Sequence, residues 1–127
     1  MTRLVTLSLA LALVAGSLTP AAACGMYEAP SIESAMDRIA TARDLLEEGK
    51  LDEAAAYARS VARDRRADKK VRAEAYTIAG VIRWKQGNKT AAKTNFKRAM
   101  ELDPVQYENA IAKQADAVQI RAIVEEA

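Results

Sequence analysis

Residues 75–104 read AYTIAGVIRWKQGNKTAAKTNFKRAMELDP, and the fold of the chain is decided in this stretch. Alanines and large apolar residues recur at spacings of three and four, the period of one helix face. Gly87-Asn88 interrupts the run and Asp103-Pro104 closes it, both ordinary helix stops. Two helices joined by a tight turn are predicted. The first runs to Gln86 and is apolar around much of its circumference, through Tyr76, Ile78, Ala79, Val81, Ile82 and Trp84. A helix of that kind needs neighbours on several sides, so it is expected at the centre. Gly80 sits within it at a cost of roughly 0.5–1 kcal/mol relative to alanine. Close approach of another helix backbone is the expected compensation. The second helix carries Ala92, Phe96, Ala99 and Met100 on one face.

Working outward, the same pattern recurs upstream. LLEEGKLDEAAAYARSV, residues 45–61, matches IRWKQGNKTAAKTNFKRAM, residues 82–100, in its glycine, polar residues, paired alanines and aromatic. Gly49 and Gly87 lie 38 residues apart. The upstream pair begins with Ser31 or Ser34 as N-cap and Ile32, Ala35, Met36, Ile39, Ala42, Leu45 and Leu46 as its apolar stripe. Gly49 stops that helix, and the next begins near Asp52 with Ala54, Ala55, Ala58, Val61 and Ala62 on a small-residue face. Helicity resumes around Asp68. A fifth helix is expected from about Val105 to Glu125, with Ile111, Ala115, Val118 and Ala122 at helical spacing. No stretch alternates with period two, and the chain has only five glycines and three prolines. An all-α fold of five helices is predicted: hairpins over about 31–66 and 70–104, then a last helix over 105–126. Each hairpin would cover its neighbour's apolar face, as in a repeat array.

These residues carry a family likeness. The second hairpin resembles a tetratricopeptide repeat, a helix–turn–helix of about 34 residues. Ala73-Glu74-Ala75-Tyr76 stands where the repeat opens, with Tyr76 at the large aromatic position, and Ala79-Gly80 replaces Leu-Gly. Lys85-Gln86-Gly87-Asn88 matches the turn between helices. Ala92, Phe96 and Ala99 fall on the small, aromatic and small positions, and Leu102-Asp103-Pro104 on the closing triplet. Arg83, where a tyrosine is common, departs from the pattern. The first hairpin is a weaker copy: Arg38 stands at the opening aromatic position, Val61 replaces the last alanine, and four extra residues precede the second unit. The resemblance implies a short right-handed solenoid of about two and a half repeats, with the fifth helix as a cap. It also implies a concave surface lined by the first helix of each unit that binds a peptide or protein. Carried onto this chain, Met36, Ile39, Arg43, Leu46 and Glu47 would line one side and Glu74, Thr77, Val81, Trp84 and Lys85 the other. Trp84 is either the anchor of that groove or part of the core.

The first 23 residues read as a targeting segment rather than as part of the domain. Arg3, the uncharged LVTLSLALALVAG and the small residues Ala21-Ala22-Ala23 follow the order of a secretory signal peptide. A membrane anchor is the alternative, disfavoured by Pro20 and the small-residue tail. Cys24, the single cysteine, falls at the expected cleavage point. Ala21-Ala22-Ala23-Cys24 resembles a bacterial lipobox, which implies lipidation of Cys24; the other reading is a plain secreted protein with a free terminal thiol. Residues 24–30 are expected to be a tether before a helical domain over 31–127. The expected location is the periplasm or an outer-membrane attachment in a Gram-negative envelope, and otherwise the cell surface or the medium.

Chemistry is signalled mostly by what is missing. The chain has no histidine, so the commonest general base and metal ligand is lacking. Gly87-Asn88-Lys89-Thr90 lacks the lead, residue order and preceding strand of a phosphate loop. Glu47-Glu48 and Glu125-Glu126 are neighbours on helices whose carboxylates do not face each other. No enzyme, cofactor or metal is expected. Nineteen basic residues face 17 acidic ones, a net charge of +2, which is no nucleic-acid signal. Within residues 59–72, however, Arg59, Arg63, Arg65, Arg66, Lys69, Lys70 and Arg72 gather against Asp64 and Asp68. This segment is either a solvated junction or a patch for anionic lipid or polymer, with Arg65, Arg66, Lys69 and Lys70 as the candidate contacts. The leading function is therefore a noncatalytic protein-binding or scaffolding module of the cell envelope. A binder of membrane surfaces or anionic polymers is one alternative, and a self-associating structural subunit, a homo-oligomer, is another.

Overall fold

A helix leaves its first N–H groups without partners, and short polar side chains can supply them. In the computed structural model, which describes residues 33–126, Ser34 Oγ accepts from the Asp37 N–H at 3.1 Å and opens α1 (Ala35–Glu47). Helix α1 ends at Gly49, whose φ of 79° is open to glycine with no Cβ to oppose it. There the Lys50 N–H donates to the Leu45 carbonyl at 2.9 Å and the Gly49 N–H to Leu46 at 3.1 Å. These paired bonds reverse the chain into α2 (Leu51–Ala62). After a turn over 63–68, α3 (Lys69–Lys85) ends at Gly87 in the same way. Its φ is 83°, and Asn88 and Gly87 donate to Arg83 and Trp84, both at 2.9 Å. Helix α4 (Lys89–Leu102) follows, opened by Asn88 Oδ1 accepting from the Ala91 N–H at 3.0 Å. Two turns 38 residues apart thus share one hydrogen-bond scheme, and the hairpin repeat is real in three dimensions.

Helix α3 packs against α1, α2 and α4, as its many-sided apolarity requires. It buries Val71, Ala73, Ala75, Thr77, Ile78, Val81 and Ile82. Each large aliphatic side chain there contributes about 1.5–3 kcal/mol by leaving water. The alanine face of α2 is buried at Ala54, Ala58 and Ala62. Gly80 is compensated differently from the sequence expectation: the Phe96 ring, rather than a helix backbone, fills the space above it. Arg38, at the first hairpin's aromatic position, bridges instead. Its Nη2 meets Asp64 Oδ2 at 2.7 Å and its Nη1 donates to Ser60 Oγ at 3.0 Å, tying α1 to the end of α2.

The expected last helix over 105–126 is two helices, so the described residues hold six rather than five. Asp103 ends α4 and, with its carboxylate accepting from the Gln106 N–H at 3.0 Å, starts α5 (Pro104–Ala112). The chain then breaks over 113–116 before α6 (Ala117–Glu125). At ~100° per residue, a continuous helix would point Ile120 nearly opposite Ile111. The break lets Tyr107, Ile111, Ile120 and Ile123 all reach the interior, and it leaves Val118 exposed at 75%. Residues 111, 115, 118 and 122 make a legible stripe, but burial of Ile120, Ile123 and Tyr107 outweighs it. Helix α5 packs on α3 and α4, and α6 on α4 and α5.

Candidate functional site

The groove arises because α1, α3 and α5 each turn one stripe toward a shared space. Helix α1 supplies Arg43, Leu46 and Glu47, which its 3.6-residue turn places together. Helix α3 supplies Glu74, Thr77, Ile78, Val81 and Lys85, again on one face. Ala110 of α5 and the following Lys113 and Gln114 close the third side. The enclosed volume is about 220 Å³.

Its floor is apolar and well buried: Leu46, Ile78, Val81 and Ala110. Thr77 is buried there too, at 1% exposure, and satisfies its hydroxyl by donating to the Ala73 carbonyl at 2.9 Å. At the rim, Arg43 Nη2 and Nε each meet Glu74 Oε1 at 2.8 Å. That pair crosses from α1 to α3 and stiffens the wall. Glu47, Lys85 and Lys113 are exposed and, among the described residues, form no ion pair. Such a surface can seat an apolar side chain and orient charges around it; it brings no acid, base or nucleophile to bear on a bond.

Of the residues expected to line this surface, the structure brings together Arg43, Leu46, Glu47, Glu74, Thr77, Val81 and Lys85. Three do not join them. Ile39 is 1% exposed and belongs to the core; it shares a face of α1 with Leu46 but lies about two turns before it, outside the lining. Met36 is 64% exposed near the start of α1, outside the lining. Trp84 is half-buried and packs against the core cluster instead of standing in the groove. Sequence reasoning missed Ile78, Ala110, Lys113 and Gln114. The last two arrive only through the break after α5, which no glycine or proline marks.

The basic segment lies mainly in the turn before α3, where Arg65, Arg66, Lys69 and Lys70 are all exposed. Asp64 pairs with Arg38 rather than neutralising them. Cys24 and the segments over 1–30 expected to be a targeting sequence and a tether lie outside the described residues. Among the described residues no helix is long and apolar enough to cross a membrane.

Comparison with known proteins finds no curated protein and no solved structure that matches the chain. Residues 73–106 do match the family model of the tetratricopeptide repeat, from the second turn of α3 to the first turn of α5, so the described residues form an all-helical fold whose second hairpin is similar to a tetratricopeptide repeat.

Proposed function

We propose that the protein is a noncatalytic binding or scaffolding module of the bacterial cell envelope, and that the groove between α1, α3 and α5 is where it holds a partner. The carrying observation is the groove itself, an apolar floor of Leu46, Ile78, Val81 and Ala110 inside a charged rim. Tetratricopeptide repeats generally mediate protein–protein contacts, which favours a protein over a small molecule as occupant. The occupant is an extended segment that places an apolar side chain on the floor and a carboxylate toward Lys85 and Lys113. Rim charges of that kind select and steer more than they tighten. Export rests on the sequence of residues 1–23, and lipid attachment on Cys24.

The test is crosslinking in the native cell followed by mass spectrometry, run in parallel on the wild type and on Lys85→Glu/Lys113→Glu. A partner recovered by the wild type and lost by the variant supports the groove. Equal recovery removes it as the binding surface. The same spectra report the mature N-terminus, and an unmodified Cys24 would end the lipid proposal.

A further inference from the structure

A second cavity, sharing no lining residue with the groove, opens on the other side of α3. Tyr76, Ala79 and Arg83 lie about 200° around α3 from the groove residues Glu74, Thr77 and Val81. Small side chains at Ala55, Ala62 and Ala79 leave a space of about 300 Å³ between α2, α3 and α4. Four arginines surround it: Arg59 and Arg63 from α2 and its end, Arg83 from α3 and Arg98 from α4. All four are exposed, and no carboxylate is among the lining residues.

Outside this cavity and the exposed turn before α3, arginines that reach across the fold find acids. Arg38, Arg43 and Arg121 are each paired with a carboxylate. None of the four around this cavity forms an ion pair among the described residues. Arg98 is held over the Tyr76 ring, 5.9 Å from its centroid, and Arg83 Nη1 donates to Gln86 Oε1 at 3.2 Å. Both are thereby positioned without being neutralised. The adjoining depression around Tyr76 and Arg98 adds Arg72 and Lys97 against a single acid, Glu101. In a chain whose charges nearly balance, cations have been gathered here and acids kept away. Like charges converging on one cavity repel unless an anion joins them.

We propose that this cavity is a binding site for a phosphoryl group carrying more than one negative charge, of the diphosphate class. Guanidinium groups present planar forks matched to phosphoryl oxygens, and donors from three helices can surround such a group. The volume sits at the lower end of ordinary small-ligand sites, roughly 300–1,000 Å³, which suits a diphosphate-sized anion. The site is independent of the groove: either can fail without the other. The phosphoryl group can come from a soluble compound or from a lipid headgroup.

Two probes separate these sources: inorganic pyrophosphate by titration calorimetry, and phosphatidylcholine vesicles with and without a long-chain polyprenyl diphosphate by co-sedimentation. Each is run on wild type, on Arg83→Gln/Arg98→Gln, and on Arg65→Gln/Arg66→Gln, which removes the same charge from the exposed turn. The cavity predicts that the first variant weakens binding about tenfold or more, since a bond to a charged group is lost at each position. The turn variant should change it less than about twofold, through screened long-range attraction only. This pattern with pyrophosphate indicates a soluble ligand; with the diphosphate-lipid vesicles alone, it indicates a headgroup. Absence of binding to both probes overturns the proposal, as does equal weakening by the two variants. Melting followed by circular dichroism checks the fold, and Arg59→Gln/Arg63→Gln, drawn from α2 and its end, must repeat the first variant's loss.

Discussion

The ring of Phe96 stands in the space that a side chain at Gly80 would occupy. A Cβ placed there would lie within 3.0 Å of three atoms of the ring, with no flexible end to move aside. Phe96 is itself fully buried between α3 and α4 and meets Tyr107 edge-on, ring centroids 6.1 Å apart. Gly80→Ala should therefore destabilise the protein, although alanine is the better helix former by about 1 kcal/mol. Overpacking of this kind costs about 1–3 kcal/mol, so the net loss in chemical denaturation should be positive and modest. The double variant Gly80→Ala/Phe96→Leu should show favourable coupling relative to the two single losses. A more stable Gly80→Ala protein would refute the steric account.

Much of this was legible because the decisive signals are local. Gly49 and Gly87 announce their turns, since a positive φ excludes most other residues. Ser34 announces a helix start for an equally local reason, whereas Asn88 and Asp103, read as stops, also cap the helices that follow. The break between α5 and α6 was not legible: it follows from where Ile111, Ile120 and Ile123 must point together, which is a property of the whole core. The third wall of the groove was lost with it. Trp84 shares its apolar helix with core and groove residues, so periodicity alone could not assign it. The arginine cavity draws Arg83 and Arg98 from the second hairpin to Arg59 and Arg63 of the first, a meeting that a linear run of charges hides.

Trp84 is expected to matter for stability rather than for binding. It is half-buried against the core, so Trp84→Ala should cost about 1–3 kcal/mol, below the range for a fully buried aromatic. Partner recovery should survive once the variant is shown to be folded. Lys85→Glu/Lys113→Glu should do the reverse, staying within about 0.5 kcal/mol of wild-type stability because both lysines are exposed. Loss of the partner in the folded Trp84→Ala protein would return the tryptophan to the binding surface.

The bridge from Arg38 to Asp64 should give the fold an acid-sensitive tie. The Arg66 N–H donates to Asp64 Oδ1 at 2.9 Å, and with the Arg38 bond to the other oxygen it holds this carboxyl below its usual range. A carboxyl with a depressed folded-state pKa stabilises the fold above the usual carboxylate range. That contribution fades as pH falls through the depressed value. Denaturation midpoints measured from neutrality down to about pH 3 should therefore fall less steeply in Asp64→Asn than in wild type. Identical slopes would mean that the bridge adds nothing to the fold.

Tyr107 offers the opposite sign, at the alkaline end. It is 2% exposed, and among the described residues its hydroxyl has no hydrogen-bond partner. Burial, helped by the nearby negative charge of Glu108, pushes its pKa up to about 12. An unfolded tyrosine ionises near 10, so the unfolded chain sheds this proton first as pH rises. The resulting loss of stability begins near 10 and runs on through about 12. Tyr107→Phe keeps the edge-on ring against Phe96 while deleting both the ionisation and the unpartnered hydroxyl. At neutral pH it should be neutral or stabilising by about 1 kcal/mol, since a buried polar group without a partner costs that much or more. Above about pH 10 its advantage over wild type should widen, because only wild type still loses a proton on unfolding. Thermal melts of both proteins across that range would decide it: a constant difference would mean that the Tyr107 hydroxyl reaches solvent in the folded protein.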